Sequence, residues 1–412
     1  MNLEIDRDRM LSEIEMLASF SDAEAPAVTR IVFSSADLKA RAWLKSVCEE
    51  SGLSVRYDAI GNTFVRWSGP DPEAPVVGTG SHIDAIPNAG KYDGVVGVLG
   101  GLEAIRALQR SGFRPRNSIE LLVFTAEEPT RFGIGCIGSR MLSGTLSVDA
   151  ARKLTDKEGA TVDEVRSRAG FSGELDTVGL PKDYYKAFVE LHIEQGPLLE
   201  RERIPLGVVT KIAAPASLNV LIEGSGGHAG GVLMPGRRDA LCAAAELILA
   251  LENAAKSSGA IDTVATVGIC EVFPGAVNSI PSQARVSVDI RDTDLNRRDS
   301  VMQTLAEACQ SIALRRQVSI KADLLNADAP GDCDPLLVDA LSQSCRKLGY
   351  KFLPMVSRAY HDSLFMGRIA PAAMLFIPCR NGYSHRPDEY ASPDDIVRGT
   401  LVLAETLAIL SA

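Results

Sequence analysis

The chain uses histidine sparingly. Five occur in 412 residues, at His82, His192, His228, His361 and His385, each inside a short polar motif. Imidazole is the commonest metal ligand and the usual proton carrier near neutral pH, so this placement points to chemistry. In Gly80-Ser81-His82-Ile83-Asp84, the two-residue period of extended chain turns His82 and Asp84 the same way. The Asp84 carboxylate can then hold one imidazole nitrogen while the other binds a metal. Asp93 stands at a glycine-rich helix start, and Glu127-Glu128 end a very apolar run. Adjacent carboxylates raise each other's pKa unless a cation sits beside them. His192 in Leu191-His192-Ile193-Glu194-Gln195-Gly196 and His385 in Gly382-Tyr383-Ser384-His385 add two more imidazoles in polar turns. Taken singly, each histidine has a plain structural reading; taken together, the set suits a two-metal hydrolytic site.

The elements that must carry these residues can be read from periodicity. Apolar runs at 74–80 and 119–125 read as buried strands, and 94–112 has helical spacing, with Leu99, Leu102, Ile105 and Leu108 on one face. This alternation is that of an α/β domain, a central sheet flanked by helices. From about Ala213 the character changes. Strand-like segments at 218–223, 264–272 and 284–292 surround an Ala/Leu-rich helix at 238–256, which reads as an inserted α+β domain. A helix at 335–348, a strand at 372–378 and a last helix capped by Ser392, with Pro393 in its first turn, return to the first pattern. The expected division is 1–212 with 330–412 as one domain and 213–329 as the other.

Composition narrows the function. A net charge of −10 without long single-sign runs argues against nucleic acid or an anionic membrane as partner. No apolar stretch is long enough for a membrane span, and Glu4, Asp6 and Asp8 stand where a secretion signal would be basic, so a cytoplasmic location is expected. The eight cysteines include no CxxC pair and read as free, mostly buried thiols; Cys136 lacks a neighbouring base and is not taken as a nucleophile. The string Gly133-Ile134-Gly135-Cys136-Ile137-Gly138 spells GxGxxG but trails Pro129 and lacks the strand-turn-helix setting of a dinucleotide site. It reads as a close-packed loop beside the carboxylates.

HIDAIP, GKYDGVVGV, FTAEEPTRFG, ELHIEQGP, GGHAGGVLMPGRRDA, PGAVNSIPS, RAYHDSLF and GYSHRPDEY, in this order, resemble the M20-type metal-dependent amidohydrolases that cleave N-carbamoyl and ureido compounds. The resemblance runs from about Ser34 to the C-terminus and implies an M20 aminopeptidase-like catalytic domain with an inserted lid and dimerisation domain. It further implies two divalent ions, manganese favoured and zinc possible, one held by His82 and His192, the other by Glu128 and His385, with Asp93 bridging. Glu127 matches the general base. His228 matches a residue that reaches the partner subunit's site in a homodimer, where it would polarise the scissile carbonyl.

Asn278 and Arg291 match the clamp on a substrate carboxylate, a task suited to the planar guanidinium, although Arg291 could instead pair with Asp289 or Asp292. Gln195 is placed to hydrogen-bond the ureido group, and Tyr360 and His361 to face the substrate. Many carbamoylase-like relatives carry glycine before that histidine; a tyrosine would shrink the pocket. The resemblance, together with this tyrosine, implies a small carboxylated substrate, ureidoglycolate, yielding glyoxylate, ammonia and carbon dioxide in purine catabolism, with allantoate or an N-carbamoyl-L-amino acid as alternatives.

Overall fold

A computed structural model describes residues 3–412. The chain divides into two compact units, Met1–Thr210 with Asp332–Met355 and His361–Ala412, and Lys211–Gly331 with Val356–Tyr360. The short segment Val356–Tyr360, expected with the catalytic domain, groups with the insert. The cause is local: Ala213 N donates to Ser357 O at 2.8 Å, and Tyr360 packs against Arg291.

A nine-stranded mixed sheet organises the first unit. At its centre Ala372–Ile377, Tyr185–Ile193, Val76–His82 and Ile119–Phe124 lie side by side and parallel, and Thr63–Trp67 and Ser54–Tyr57 extend the last of them antiparallel. The four parallel strands are buried almost throughout, as strands covered on both faces must be. Their C-terminal ends all open toward one rim, where ligands bind in open α/β sheets.

The helix Val95–Arg110 crosses between two of these strands and is buried along nearly its whole length. Glycine inside a helix costs about 1 kcal/mol relative to alanine, so Gly97 in this helix needs a reason. A Cβ there would stand 2.3 Å from Leu191 O and 2.7 Å from Ser81 Cβ. Only a bare backbone lets the helix lie that close to the strands that end in His82 and His192. The last helix, Pro393–Ser411, packs beside it and is capped as expected, with Ser392 Oγ accepting from Asp395 N at 3.1 Å.

The second unit has its own core. Val264–Phe273, Gln283–Asp292, Ala214–Glu223 and Ser319–Ala327 form a four-stranded antiparallel sheet in that order, with the helices Ala240–Lys256 and Leu295–Arg316 packed against it. Ile269 and Phe273 of one edge strand and Leu324 and Leu325 on the other are exposed. Among the described residues, no helix is long and apolar enough to cross a membrane.

Gly97→Ala tests the close approach. In an isolated helix alanine would be stabilising; here overpacking should lower stability by about 1–3 kcal/mol. Thermal unfolding of the variant should show a lower Tm, and an unchanged or higher one would contradict the packing described.

Candidate metal centre

The rim at the strand ends gathers four of the predicted ligands, His82, His192, His385 and Glu128, around the carboxylate of a fifth, Asp93. Asp93 precedes the helix Val95–Arg110, and its Oδ1 lies 3.2 Å from His192 Nε2 and 3.6 Å from His82 Nε2. Its Oδ2 lies 3.4 Å from His385 Nε2, which is in turn 3.3 Å from Glu128 Oε1. Two triads result, His82-Asp93-His192 and Asp93-Glu128-His385, sharing Asp93, and within each the donor atoms lie inside 4.8 Å of one another. Such convergence of imidazole nitrogens and carboxylate oxygens is the donor chemistry that would hold divalent ions.

The His82 and His192 rings are each aimed by the far nitrogen. His82 Nδ1 faces Asp84 O at 3.0 Å and His192 Nδ1 faces Ile193 O at 2.9 Å, leaving both Nε2 atoms toward Asp93. The Asp84 carboxylate stands by the same nitrogen of His82, its Oδ1 at 3.6 Å, farther off than its own carbonyl. It also accepts from the amides of Glu127, at 3.3 Å, and Glu128, at 3.0 Å, because the chain after Phe124 turns back over it. Asp84 thus positions the two glutamates. Gly94, beside Asp93, has φ +66°, and a Cβ there would lie 2.5 Å from His82 O.

Glu127 and Glu128 part company at Ala126, which has φ +56°. Glu128 turns to His385, while Glu127 Oε2 lies 3.7 Å from His82 Nε2 and its Oε1 faces Cys136 Sγ at 3.6 Å. Cys136, Ile137 and Gly138 donate their amides to the carbonyls of Glu127, Ala126 and Thr125 at 2.8, 3.0 and 2.8 Å. The glycine-rich string is therefore a support for this turn.

The electrostatics follow from burial. Burial, reinforced by Glu128, Asp362 and Asp84, pushes Glu127 well above the usual carboxylate range although His82 opposes it. Burial would also raise Asp93, but hydrogen bonds from His192, His385 and His82 outweigh it and hold Asp93 well below the ordinary value. Burial opposes charge on the three imidazoles, yet the carboxylates raise all three, His385 to about 11. Water at the half-exposed His385 ring screens part of that pull.

Several participants escaped the sequence reading. Glu389 accepts from Tyr92 N at 2.8 Å and Asp93 N at 3.1 Å, which holds the bridging residue by its backbone. Ser384 Oγ lies 2.5 Å from Asp93 Oδ2 and 2.9 Å from Glu389 Oε2. One hydroxyl proton serves only one of them, and burial with the Asp93 charge lifts Glu389 to about 7. Glu190, fully buried, accepts from Ser81 Oγ, Ser363 N and Ser363 Oγ. A lone carboxylate in the apolar run Tyr185–Ile193, two positions before His192, was the available signal.

The expected substrate contacts are placed unevenly. Gln195 donates to Asp93 Oδ2 at 2.6 Å, so its amide nitrogen holds the bridging carboxylate, while its Oε1 is buried without a partner. His361 is buried with its ring 4.5 Å from that of His192. In the second unit His228 is exposed, and its Nδ1 accepts from Gly230 N and Gly231 N at 3.1 Å each. Its strand pairs with Ser279–Ile280, and Ala229 N donates to Asn278 O at 2.8 Å, so His228 and Asn278 sit on one small ribbon. Arg291 directs its fork at Asp289, Nε to Oδ1 at 2.7 Å, the alternative pairing noted above, and its guanidinium lies 5.1 Å from the Tyr360 ring centre.

The sequence pattern of Peptidase family M20/M25/M40 matches residues 78–409, the span that contains every residue of this centre. The chain belongs to this family. Among M20 relatives, the ureidoglycolate hydrolase of Oryza sativa subsp. japonica is 51% identical over 412 residues, covering 99% of this chain and 85% of that one. The ureidoglycolate hydrolase of Arabidopsis thaliana is 51% identical over 417 residues, covering 100% and 88%. The crystal structure of AtUAH in complex with glyoxylate superposes with a TM-score of 0.95 at 50% identity, covering 99% of this chain and 98% of that one. The M20 fold and the hydrolase class therefore follow for this chain.

The raised imidazole pKa values give the metal-free M20 centre a testable pH dependence. A raised histidine contributes stability that is present in full below its ordinary value and is lost as pH rises through the raised one, about 11 for His385. A bound divalent ion needs the same nitrogens neutral and displaces their protons. The Tm gained on adding Mn²⁺ to chelator-treated protein should widen between about pH 6 and about pH 9; a gain that stayed constant would contradict the geometry.

Proposed function

We propose that this M20 hydrolase cleaves the ureido C–N bond of ureidoglycolate, leading to glyoxylate, ammonia and carbon dioxide. The observation that carries the reading is 51% identity along the whole chain to two ureidoglycolate hydrolases, supported by two clusters of imidazole and carboxylate donors that share Asp93 at the sheet rim. His82 and His192 would hold one ion and Glu128 and His385 the other, with Asp93 between them; manganese is the favoured metal and zinc the second. Bound there, the ions polarise the ureido carbonyl and acidify a water.

The protein's own groups then have separate tasks. Glu127 is the general base. It is buried, burial raises its pKa well above the usual carboxylate range, and its Oε2 is the oxygen nearer the donor cluster. It takes a proton from the attacking water and returns it to the leaving nitrogen as the C–N bond breaks. The second unit is assigned the lid and dimerisation role. Its exposed Ile269, Phe273, Leu324 and Leu325 fit a surface covered in a homodimer, and His228, exposed on its ribbon beside Asn278, would act in the partner's site on the carbonyl oxygen. Asn278 and Arg291 would bind the substrate carboxylate, Arg291 exchanging Asp289 for it, with Tyr360 limiting the room and His361 and the free Oε1 of Gln195 on the ureido side. Eight free cysteines, six of them buried, fit a reducing cytoplasmic setting.

Ammonia release from ureidoglycolate, allantoate and N-carbamoyl amino acids by manganese-loaded protein, compared as kcat/KM, should favour ureidoglycolate; a preference for either competitor overturns the assignment. Glu127→Ala and His228→Ala should each retain metal while kcat falls by about 10²–10⁴ for the first, and undiminished turnover in Glu127→Ala would remove it as base. Tyr360→Gly should narrow the preference for ureidoglycolate over allantoate, and an unchanged ratio would dismiss Tyr360 as the size limit.

A further inference from the structure

A second cavity, about 620 Å³, lies in the first unit and includes none of the five metal-ligand candidates in its lining. It is walled by the helix Leu198–Glu202 and the turn after it, the turn at 349–351, the exit of the strand Ala372–Ile377, and the start of the last helix. We propose that it is a ligand site for a small organic anion with a flat apolar body, a ring bearing a phosphate or a carboxylate. Its volume is in the range of cavities that enclose small molecules.

The charge around it is what identifies the class. Ile204, Pro205, Pro378 and Tyr350 offer apolar surface, while Arg203, Lys351 and Arg380 line the same space. Among the described residues, neither Arg203 nor Lys351 has a carboxylate within ion-pairing distance. Arg380 donates to Asp388 O at 2.9 Å and lies 4.9 Å from the Tyr390 ring centre, contacts that leave its charge uncompensated. The two acids of the lining are already engaged: Glu200 Oε2 accepts from Asn381 N at 2.6 Å, and Asp395 pairs with Arg398 at 2.8 Å. Arg203, Lys351, Arg380 and Arg398 against Glu200 and Asp395 leave the lining with a net charge of +2 in a chain of net charge −10, a local field that attracts an anion.

The cavity also touches the base of a loop that matters. Arg380 N donates to Tyr390 O at 2.8 Å, closing the loop that carries Ser384, His385 and Glu389. An anion held by Arg380 beside Tyr390 therefore bears on the segment that supplies one imidazole and the support of Asp93.

Calorimetric titration of the manganese-loaded protein with adenosine monophosphate, 2-naphthoate and uncharged adenosine tests this. One or both anions should bind with Kd below about 1 mM, adenosine at least about tenfold more weakly, and Arg203→Ala/Lys351→Ala should weaken the anion by about tenfold or more. The two anions distinguish a phosphate from a carboxylate preference. Saturating anion should change kcat/KM for ureidoglycolate in the unmodified protein and not in the double variant. Absence of binding by both anions, equal binding of adenosine, or undiminished binding to the double variant overturns the site; binding that leaves kcat/KM unchanged overturns its link to the loop.

Discussion

The buried carboxylate of Asp93 is the constraint around which the first unit is organised. An isolated carboxylate inside a protein costs several kcal/mol unless charge or hydrogen bonds compensate it. Here three imidazoles, the Gln195 amide and the Ser384 hydroxyl converge on it, and Glu389 holds the backbone amide of the same residue. Those groups come from the ends of Val76–His82 and Tyr185–Ile193 and from the loop after Ala372–Ile377. Parallel strand order is what brings such distant stretches of chain to one rim.

Keeping the negative groups apart requires equally definite backbone placement. The amides of Glu127 and Glu128 are tied to Asp84, and the carbonyls of residues 125–127 accept from residues 136–138, so the two glutamates leave a rigid turn in different directions. Asn62 adds a further tie, its Oδ1 accepting from Thr125 N at 2.9 Å. One glutamate is thereby buried near His82, while its neighbour joins the second triad.

The second unit follows a different logic. Its core needs only two helices on one face of a four-stranded sheet, and its chemically suggestive residues, His228, Asn278, Arg291 and Tyr360, occupy the ribbon, the loop beside it, the end of the strand Gln283–Asp292 and the segment Val356–Tyr360. Binding residues are found disproportionately in such loops and element ends.

Much of this was legible in the sequence because the signals are local. Alternating apolar runs located the strands at 76–82, 119–124 and 372–377 to within two or three residues, the Ser392-Pro393 cap located the last helix, and short polar motifs singled out His82, Asp93, Glu127, Glu128, His192 and His385. The helix Leu295–Arg316 was hidden, since its buried stripe is little more than Val301, Leu305, Cys309 and Ile312 in an otherwise polar segment. Glu190, Ser384 and Glu389 were hidden for another reason: a carboxylate or hydroxyl shows its role only when its partner is known, and those partners lie far away in the chain. The same holds for Asp84, whose spacing from His82 pointed to one partner while the fold supplied two more, the amides of Glu127 and Glu128. Residue type and spacing thus determined which atoms could bind metal and move protons. Only tertiary structure decided which oxygen faces which nitrogen, because that depends on strand order and on where the chain turns back.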